Sequence, residues 1–178
     1  MTDPYPAIQH WLIPRSVLAE TRKRVQEEGQ NVRESGALWL GERGDAARVL
    51  AVVFPRGKGV EARADKWKVT PEVFGTLTRW AKPQNLSLLA VVHTHLNGVP
   101  PRLSRSDREY SVQVPGILAI VIGEGGAETD HQKWGWYLYE RGNYRHLTAQ
   151  DLSGHFMLEA DHLFQTCEAD ADAVRELT

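Results

Sequence analysis

Two nearly uninterrupted apolar runs, Leu86 to Val92 and Ile117 to Ile122, do most to narrow what this chain can fold into. A strand with one wet face alternates apolar and polar residues; a short run without alternation fits a strand covered on both faces. Both runs are too short for an ordinary helix, and Gly116 and Gly123 bracket the second. They predict the central strands of a sheet with helices packed on either side.

The flanking signals agree with that layering. Ser16 to Glu28 sets Val17, Thr21 and Val25 on one helical stripe among charges, and Gly29 stands where a left-handed residue would close the helix. Thr70 can cap a second helix with Pro71 at its first position; Phe74, Leu77, Thr78 and Ala81 follow at helical spacing, and Pro83 stops it. Leu38 to Leu40 and Val49 to Phe54 predict short strands about the polar turn Glu42 to Asp45. Trp134, Trp136 and Leu138 alternate with Gly135, Tyr137 and Tyr139, and Gly142-Asn143 turns the chain into another strand. From Thr148 onward, Leu152, Phe156, Ala160, Leu163 and Cys167 mark an amphipathic C-terminal helix over about 148–167, opened by Thr148 and Asp151 at capping-box spacing.

With 178 residues and no repeat, low-complexity tract or Ser/Gly linker, the chain is expected to form one α/β domain over 1–178, its core at about 15–147. A hydrophobic share of 42% is enough for a sizeable core. The net charge of -2, without a long Lys/Arg stripe, argues against nucleic acid as a partner. Cys167 is the single cysteine, which excludes an internal disulfide and a Cys-rich metal cage; on an apolar stripe it fits a small core residue better than a nucleophile. No basic-then-apolar leader and no apolar run of about 20 residues occurs, so the expectation is a cytoplasmic protein that does not engage a membrane.

The chemistry begins where the first apolar run ends, in His93-Thr94-His95. On a strand, residues i and i+2 share a face about 6.5 Å apart, so both imidazoles can lean toward one ion. Ser104-x-x-Asp107 follows, and Glu34 sits just ahead of the apolar Ala37 to Leu40. Two histidines and an aspartate supply three ligands, and a zinc site with three usually keeps its fourth position for water. The same donors accept Co²⁺, Mn²⁺ or Fe²⁺. Ser104-x-x-Asp107 is also an ordinary helix start, in which the serine oxygen takes a backbone N–H and the carboxylate favours the positive helix end; the two roles can coexist. Glu34 alone fits a solvated acid between Arg33 and Ser35 just as well. Among the other histidines only His155 and His162, two helical turns apart, have any regular spacing, and they are expected on the surface or edge of the last helix.

In this order the segments resemble the JAMM (JAB or MPN+) metalloprotease family. Glu34-Ser35-Gly36-Ala37-Leu38-Trp39-Leu40-Gly41 is similar to the family's opening motif, and His93-Thr94-His95 with Ser104-Arg105-Ser106-Asp107 is similar to its H-[ST]-H-x(n)-S-x-x-D core. The resemblance runs roughly from Val17 to Trp136. Leu96 stands where the family usually has proline, and the loop from Leu96 to Leu103 is one residue longer, which Gly98 and two prolines can absorb. The resemblance implies a single MPN domain with a mixed, curved sheet flanked by helices. It implies Zn²⁺ held by His93, His95 and Asp107, Glu34 carrying a proton from water to the leaving amine, and Ser104 hydrogen-bonding the tetrahedral oxyanion. It also implies hydrolysis of the bond after the C-terminal glycine of a ubiquitin-like protein. Small prokaryotic members deconjugate or process such partners beside ubiquitin-like or sulfur-carrier β-grasp systems. An extended tail would lie along a sheet edge, and Gly57 to Val69, rich in glycine and charge, is the candidate flexible loop for partner contact. Two alternatives stand beside this reading. One is a catalytically silent MPN-type binding scaffold, disfavoured because all four motif residues are kept. The other is a metal-dependent hydrolase of a small-molecule amide or sulfur-carrier conjugate, since nothing outside the metal motif identifies the leaving group.

Overall fold

The structure, a computed structural model, describes residues 8–157 and 163–177. In chain order its elements are β1 (His10–Leu12), α1 (Arg15–Gly29), β2 (Gly36–Glu42), β3 (Ala46–Pro55), β4 (Val60–Arg63), β5 (Lys66–Val69), α2 (Pro71–Ala81), β6 (Ser87–Thr94), α3 (Arg105–Tyr110), β7 (Leu118–Ile122), β8 (Gly135–Glu140), β9 (Asn143–His146), α4 (Ala149–His155), β10 (Phe156–Met157), β11 (Gln165–Ala169) and β12 (Val174–Glu176). One mixed sheet runs β10-β1-β3-β2-β6-β7-β8-β9, with β11 parallel to the second half of β3 and joined to β12. β4 and β5 form a separate antiparallel hairpin. The two apolar runs are β6 and β7, parallel neighbours at the sheet's centre, as their lack of alternation predicts.

Side-chain alternation sorts the core into layers. Trp39, Val52 and Val92 pack with Val17 and Val25 of α1, whereas Leu38, Val53 and Val91 pack with Val73 and Leu77 of α2. Trp39 is fully buried and donates Nε1–H to Thr21 Oγ1 at 2.9 Å, so the polar member of the α1 stripe satisfies the largest core side chain. Truncating it to alanine would cost about 3–5 kcal/mol. A smaller cluster of Leu103, Ala119, Val121, Tyr137 and Tyr144 seats the segment before α3 against β7, β8 and β9.

Three expectations are corrected. Gly29 is the last residue of α1, and the left-handed residues are Gln30 (φ 48°) and Asn31 (φ 53°). Gly29 answers to packing instead, since a Cβ there would stand 3.1 Å from Ser35 Oγ. The expected helix over 148–167 stops at His155, and Cys167 lies on β11 with its side chain fully buried. Ala160 and His162 lie outside the described residues, and Leu163 is 98% exposed. The reason is that residues 166–169 also alternate: Cys167 and Ala169 point inward, and pairing Gln165 to Ala169 with Ala51 to Pro55 buries both. A ladder with distant residues outweighs local helical spacing. Finally, Gly57 to Val69 is largely the β4–β5 hairpin. Gly57 and Gly59 turn the chain at positive φ, and Val69 is buried. Among the described residues no helix is long and apolar enough to cross a membrane.

Candidate metal centre

The antiparallel pairing of β2 with β6 places Gly36 opposite His93, which sets Glu34 against His95. Thr94 locks that register. Its N–H donates to Ser35 O at 2.9 Å, and its Oγ1 accepts the Ser35 N–H at 3.0 Å. Ser35 Oγ donates onward to Val25 O in α1. Thr94 therefore faces the helix layer, and alternation puts both histidines on the opposite face. Asp107 arrives from α3 through a capping box: Ser104 Oγ accepts the Asp107 N–H at 3.1 Å, and Asp107 Oδ2 accepts the Ser104 N–H at 2.7 Å. The helix-start role of this aspartate is thus compatible with a place among the candidate ligands.

His93 Nε2 and His95 Nε2 lie 3.3 Å apart. Asp107 Oδ1 is 3.5 Å from His93 Nε2, and Asp107 Oδ2 is 3.3 Å from His95 Nε2. An ion with tetrahedral bonds of about 2.0–2.1 Å has ligand-to-ligand edges of about 3.3 Å, and the spacings between the two imidazole nitrogens and from each to its nearer Asp107 oxygen are of that size. Glu34 Oε1 stands farther off, 3.9 Å from His95 Nε2, while all four groups have ligand atoms within 4.8 Å of one another. Its other oxygen, Oε2, is buried with no hydrogen-bond partner among the described residues. His95 Nδ1 lies 2.8 Å from Pro100 O, an acceptor that fixes the proton on Nδ1 and leaves Nε2 as the ligand atom.

The two acids differ in character. Burial pushes the Glu34 carboxyl up to about 7, helped by the charges of Asp107 and Asp65 and opposed by His95 and the Trp67 backbone N–H. Burial also opposes ionisation of Asp107, but hydrogen bonds from His93, His95 and the Ser104 N–H hold it well below the ordinary carboxylate range. For His95, burial works against the charged form, yet the hydrogen bonds to Asp107 and Pro100 O raise its pKa on balance. One carboxylate is held ionised and the other is poised to exchange a proton, a division suited to a ligand beside an acid/base.

A cavity beside the cluster lies between β5 and α3, lined by Trp67, Val69, Val91, His93, Asp107 and Tyr110. Lys66 Nζ and Lys68 Nζ sit 5.0 and 4.1 Å from the Tyr110 ring centroid. Ser104 is exposed, and its Oγ is 2.9 Å from that of Ser106, which also lines the cavity. The structure thus gathers Glu34, His93, His95 and Asp107 and sets Ser104 at the helix start next to them. Sequence reading missed Trp67, Tyr110, Ser106 and the Pro100 carbonyl. Trp67 could have been found, as an aromatic alternating with Val69 between two lysines. The carbonyl leaves no trace in residue type.

No family model matches the chain. A probable metalloprotease of Sinorhizobium fredii is 29% identical over 115 residues, 62% of this chain and 68% of that protein. A protein from Desulfitobacterium hafniense, solved in solution, superposes with a TM-score of 0.61 at 18% identity, covering 85% of this chain and 94% of that one, a likeness of fold. A JAB1/MPN domain protein from Archaeoglobus fulgidus aligns over 85% of this chain and 98% of that one, with 16% identity and a TM-score of 0.44.

Proposed function

We infer that this chain is a JAMM-type metal-dependent hydrolase that cleaves a peptide or isopeptide bond. The observation that carries this reading is the grouping of His93, His95 and Asp107 at ligand-to-ligand spacing, with Glu34 Oε2 beside it, buried and without a hydrogen-bond partner among the described residues. Zn²⁺ is the ion that two imidazoles and one carboxylate at such spacing suit. When bound, it lowers the pKa of a water toward ~7 and polarises the scissile carbonyl. Glu34 takes the proton from the attacking water and returns it to the leaving amine, a general acid/base contribution of about 10²–10⁴. Ser104 Oγ accepts the Asp107 N–H, and with Ser106 Oγ as the donor in the bond between the two hydroxyls its own proton is left for the developing oxyanion. Such a preorganised donor is worth about 3 kcal/mol.

The shape beside the cluster supports one substrate class. Among the described residues β5 ladders only with β4, and apart from the Trp67 N–H that Glu34 engages, no strand pairs with its other edge, beside the cavity that includes His93 and Asp107. An extended chain added to that edge would bring its last residues to the metal, with backbone hydrogen bonds supplying most of the affinity. This supports a ubiquitin-like or sulfur-carrier β-grasp protein, cut after its terminal glycine, in deconjugation or precursor processing. The test is to incubate the zinc-loaded protein with β-grasp fusions extended beyond that glycine and weigh the products. Cleavage after the glycine is expected. Activity confined to low-molecular-weight amides would overturn the substrate assignment, and equal behaviour of wild type and Glu34→Gln on every substrate would overturn the catalytic one.

A further inference from the structure

The loop between His95 and Ser104 carries the carbonyl that orients a ligand, yet it comprises eight residues with little secondary structure. Its internal bonds are short-range: Val99 N–H to Leu96 O at 3.0 Å and Arg102 N–H to Pro100 O at 2.7 Å. At its far end Leu103 N–H reaches Tyr137 Oη at 3.3 Å. At the near end it is held from another element. Asn97 N–H donates to Asn31 Oδ1 at 3.0 Å, across 66 positions of sequence.

Asn31 is unusually placed to do this. It follows Gln30 just past α1, and both adopt left-handed backbone, which asparagine tolerates better than most residues. Two successive left-handed residues that are not glycine persist only where their surroundings fix them. Those surroundings are the His95 segment itself. Gly125 N–H donates to His95 O at 2.8 Å, and a Cβ on Gly125, which has φ 61°, would come within 2.7 Å of Asn31 Oδ1. Asn31 therefore nests against the backbone partner of His95 on one side and grips the loop two residues past His95 on the other.

We propose that Asn31 is a positioning residue for the metal centre, clasping the 96–103 loop so that Pro100 O stays aligned with His95 Nδ1. The proposal rests on His95 being a metal ligand, as inferred above. If the clasp is released, the turn at Leu96 to Val99 shifts, the carbonyl leaves the imidazole plane, and His95 loses both its fixed tautomer and its ring orientation. Groups that orient a ligand in this way are typically worth 10–100-fold in metal affinity. Asn31 acts through one intervening segment, so about tenfold is expected.

The test compares Asn31→Gly, which keeps the left-handed backbone and removes the acceptor, with Asn31→Asp, which keeps both. Zn²⁺ affinity is measured by competition with a chromophoric chelator, alongside thermal unfolding of the metal-free proteins. The His95 Nδ1–H is followed by NMR. Asn31→Gly is expected to bind Zn²⁺ about tenfold more weakly, at an unchanged melting temperature, with the imidazole proton lost to exchange. Asn31→Asp should stay within about twofold of wild type and keep that proton. Wild-type affinity in Asn31→Gly, a loss in Asn31→Asp equal to that in Asn31→Gly, or failure of Asn31→Gly to fold would each overturn the proposal, the last by making Asn31 a structural residue. A wild-type protein that binds no Zn²⁺ would instead sink the metal reading on which the proposal stands.

Discussion

Asp107 Oδ2 accepts the backbone N–H of Ser104 at 2.7 Å and at the same time faces His95 Nε2 at 3.3 Å. This one carboxylate thus ties the start of α3 and faces both histidines, so the two duties can be separated by substitution. Asp107→Asn keeps an oxygen able to accept the Ser104 N–H but gives up the charge. It should keep the helix start, melt below wild type by the charge-assisted bonds to His93 and His95 that it gives up, and bind Zn²⁺ more weakly. Asp107→Ala should lose both the ion and about 1 kcal/mol of stability from the broken capping box. Chelator competition and thermal melting distinguish the two, and equal melting of both variants would contradict the dual role.

Glu34 is close to the ligand face without belonging to it, at 3.9 Å from His95 Nε2. Glu34→Gln should therefore retain stoichiometric zinc while turnover falls by about 10²–10⁴. Metal analysis and product mass on a single preparation decide the matter. Loss of zinc would make Glu34 a ligand, and full turnover would remove it from the chemistry.

Much of this centre was legible in the sequence because its parts obey local rules. Strand periodicity puts His93 and His95 on one face, and the Ser104-to-Asp107 spacing writes both a capping box and a candidate third ligand. The layered fold was legible for the same reason, since β6 and β7 are too apolar to lie anywhere but the centre. What failed was decided over long distance. Cys167 satisfies a helical stripe and a strand equally well in its own neighbourhood, and only the edge of β3 at Val53 settles the choice. The hairpin from Val60 to Val69 reads locally as part of a flexible loop because its packing includes Trp67 meeting Gly36, a contact no local pattern encodes.

That contact gives a packing prediction. A Cβ on Gly36 would overlap the Val92 carbonyl and come within 2.7 Å of the Trp67 ring, at the point where β2 holds Glu34 against the β6 histidines. Gly36→Ala should cost about 1–3 kcal/mol by overpacking. At this size each kcal/mol lowers the melting temperature by about 2–4 °C. Zinc affinity should fall with it, because the strands that carry Glu34 and His93 must separate. An unchanged melting curve would show that the hairpin yields without cost.

Two buried acids outside the metal cluster predict how the fold responds to alkali. Burial pushes the Cys167 thiol from 9.0 up to about 11, with the charge of Glu176 adding to it. Burial likewise pushes the Tyr144 phenol from 10.0 to about 12, and its Oη donates to Val112 O at 2.7 Å, a bond that needs the proton. Both pKa values are higher in the folded chain than in the unfolded one, so the folded state holds these protons more tightly. The stability this provides is complete below about pH 9 and is lost as pH rises through about 11 and 12. Urea unfolding at a series of pH values should show a midpoint that is flat with respect to these groups up to pH 9 and then falls. In Cys167→Ala the fall between pH 9 and 11 should be shallower, whatever constant offset the lost packing introduces. The same burial should leave the thiol of the native protein unmodified by iodoacetamide at pH 8 and freely alkylated in urea, since only the exposed thiolate reacts. Rapid alkylation of the folded protein, or an undiminished alkaline slope in Cys167→Ala, would contradict the burial of Cys167 against β3.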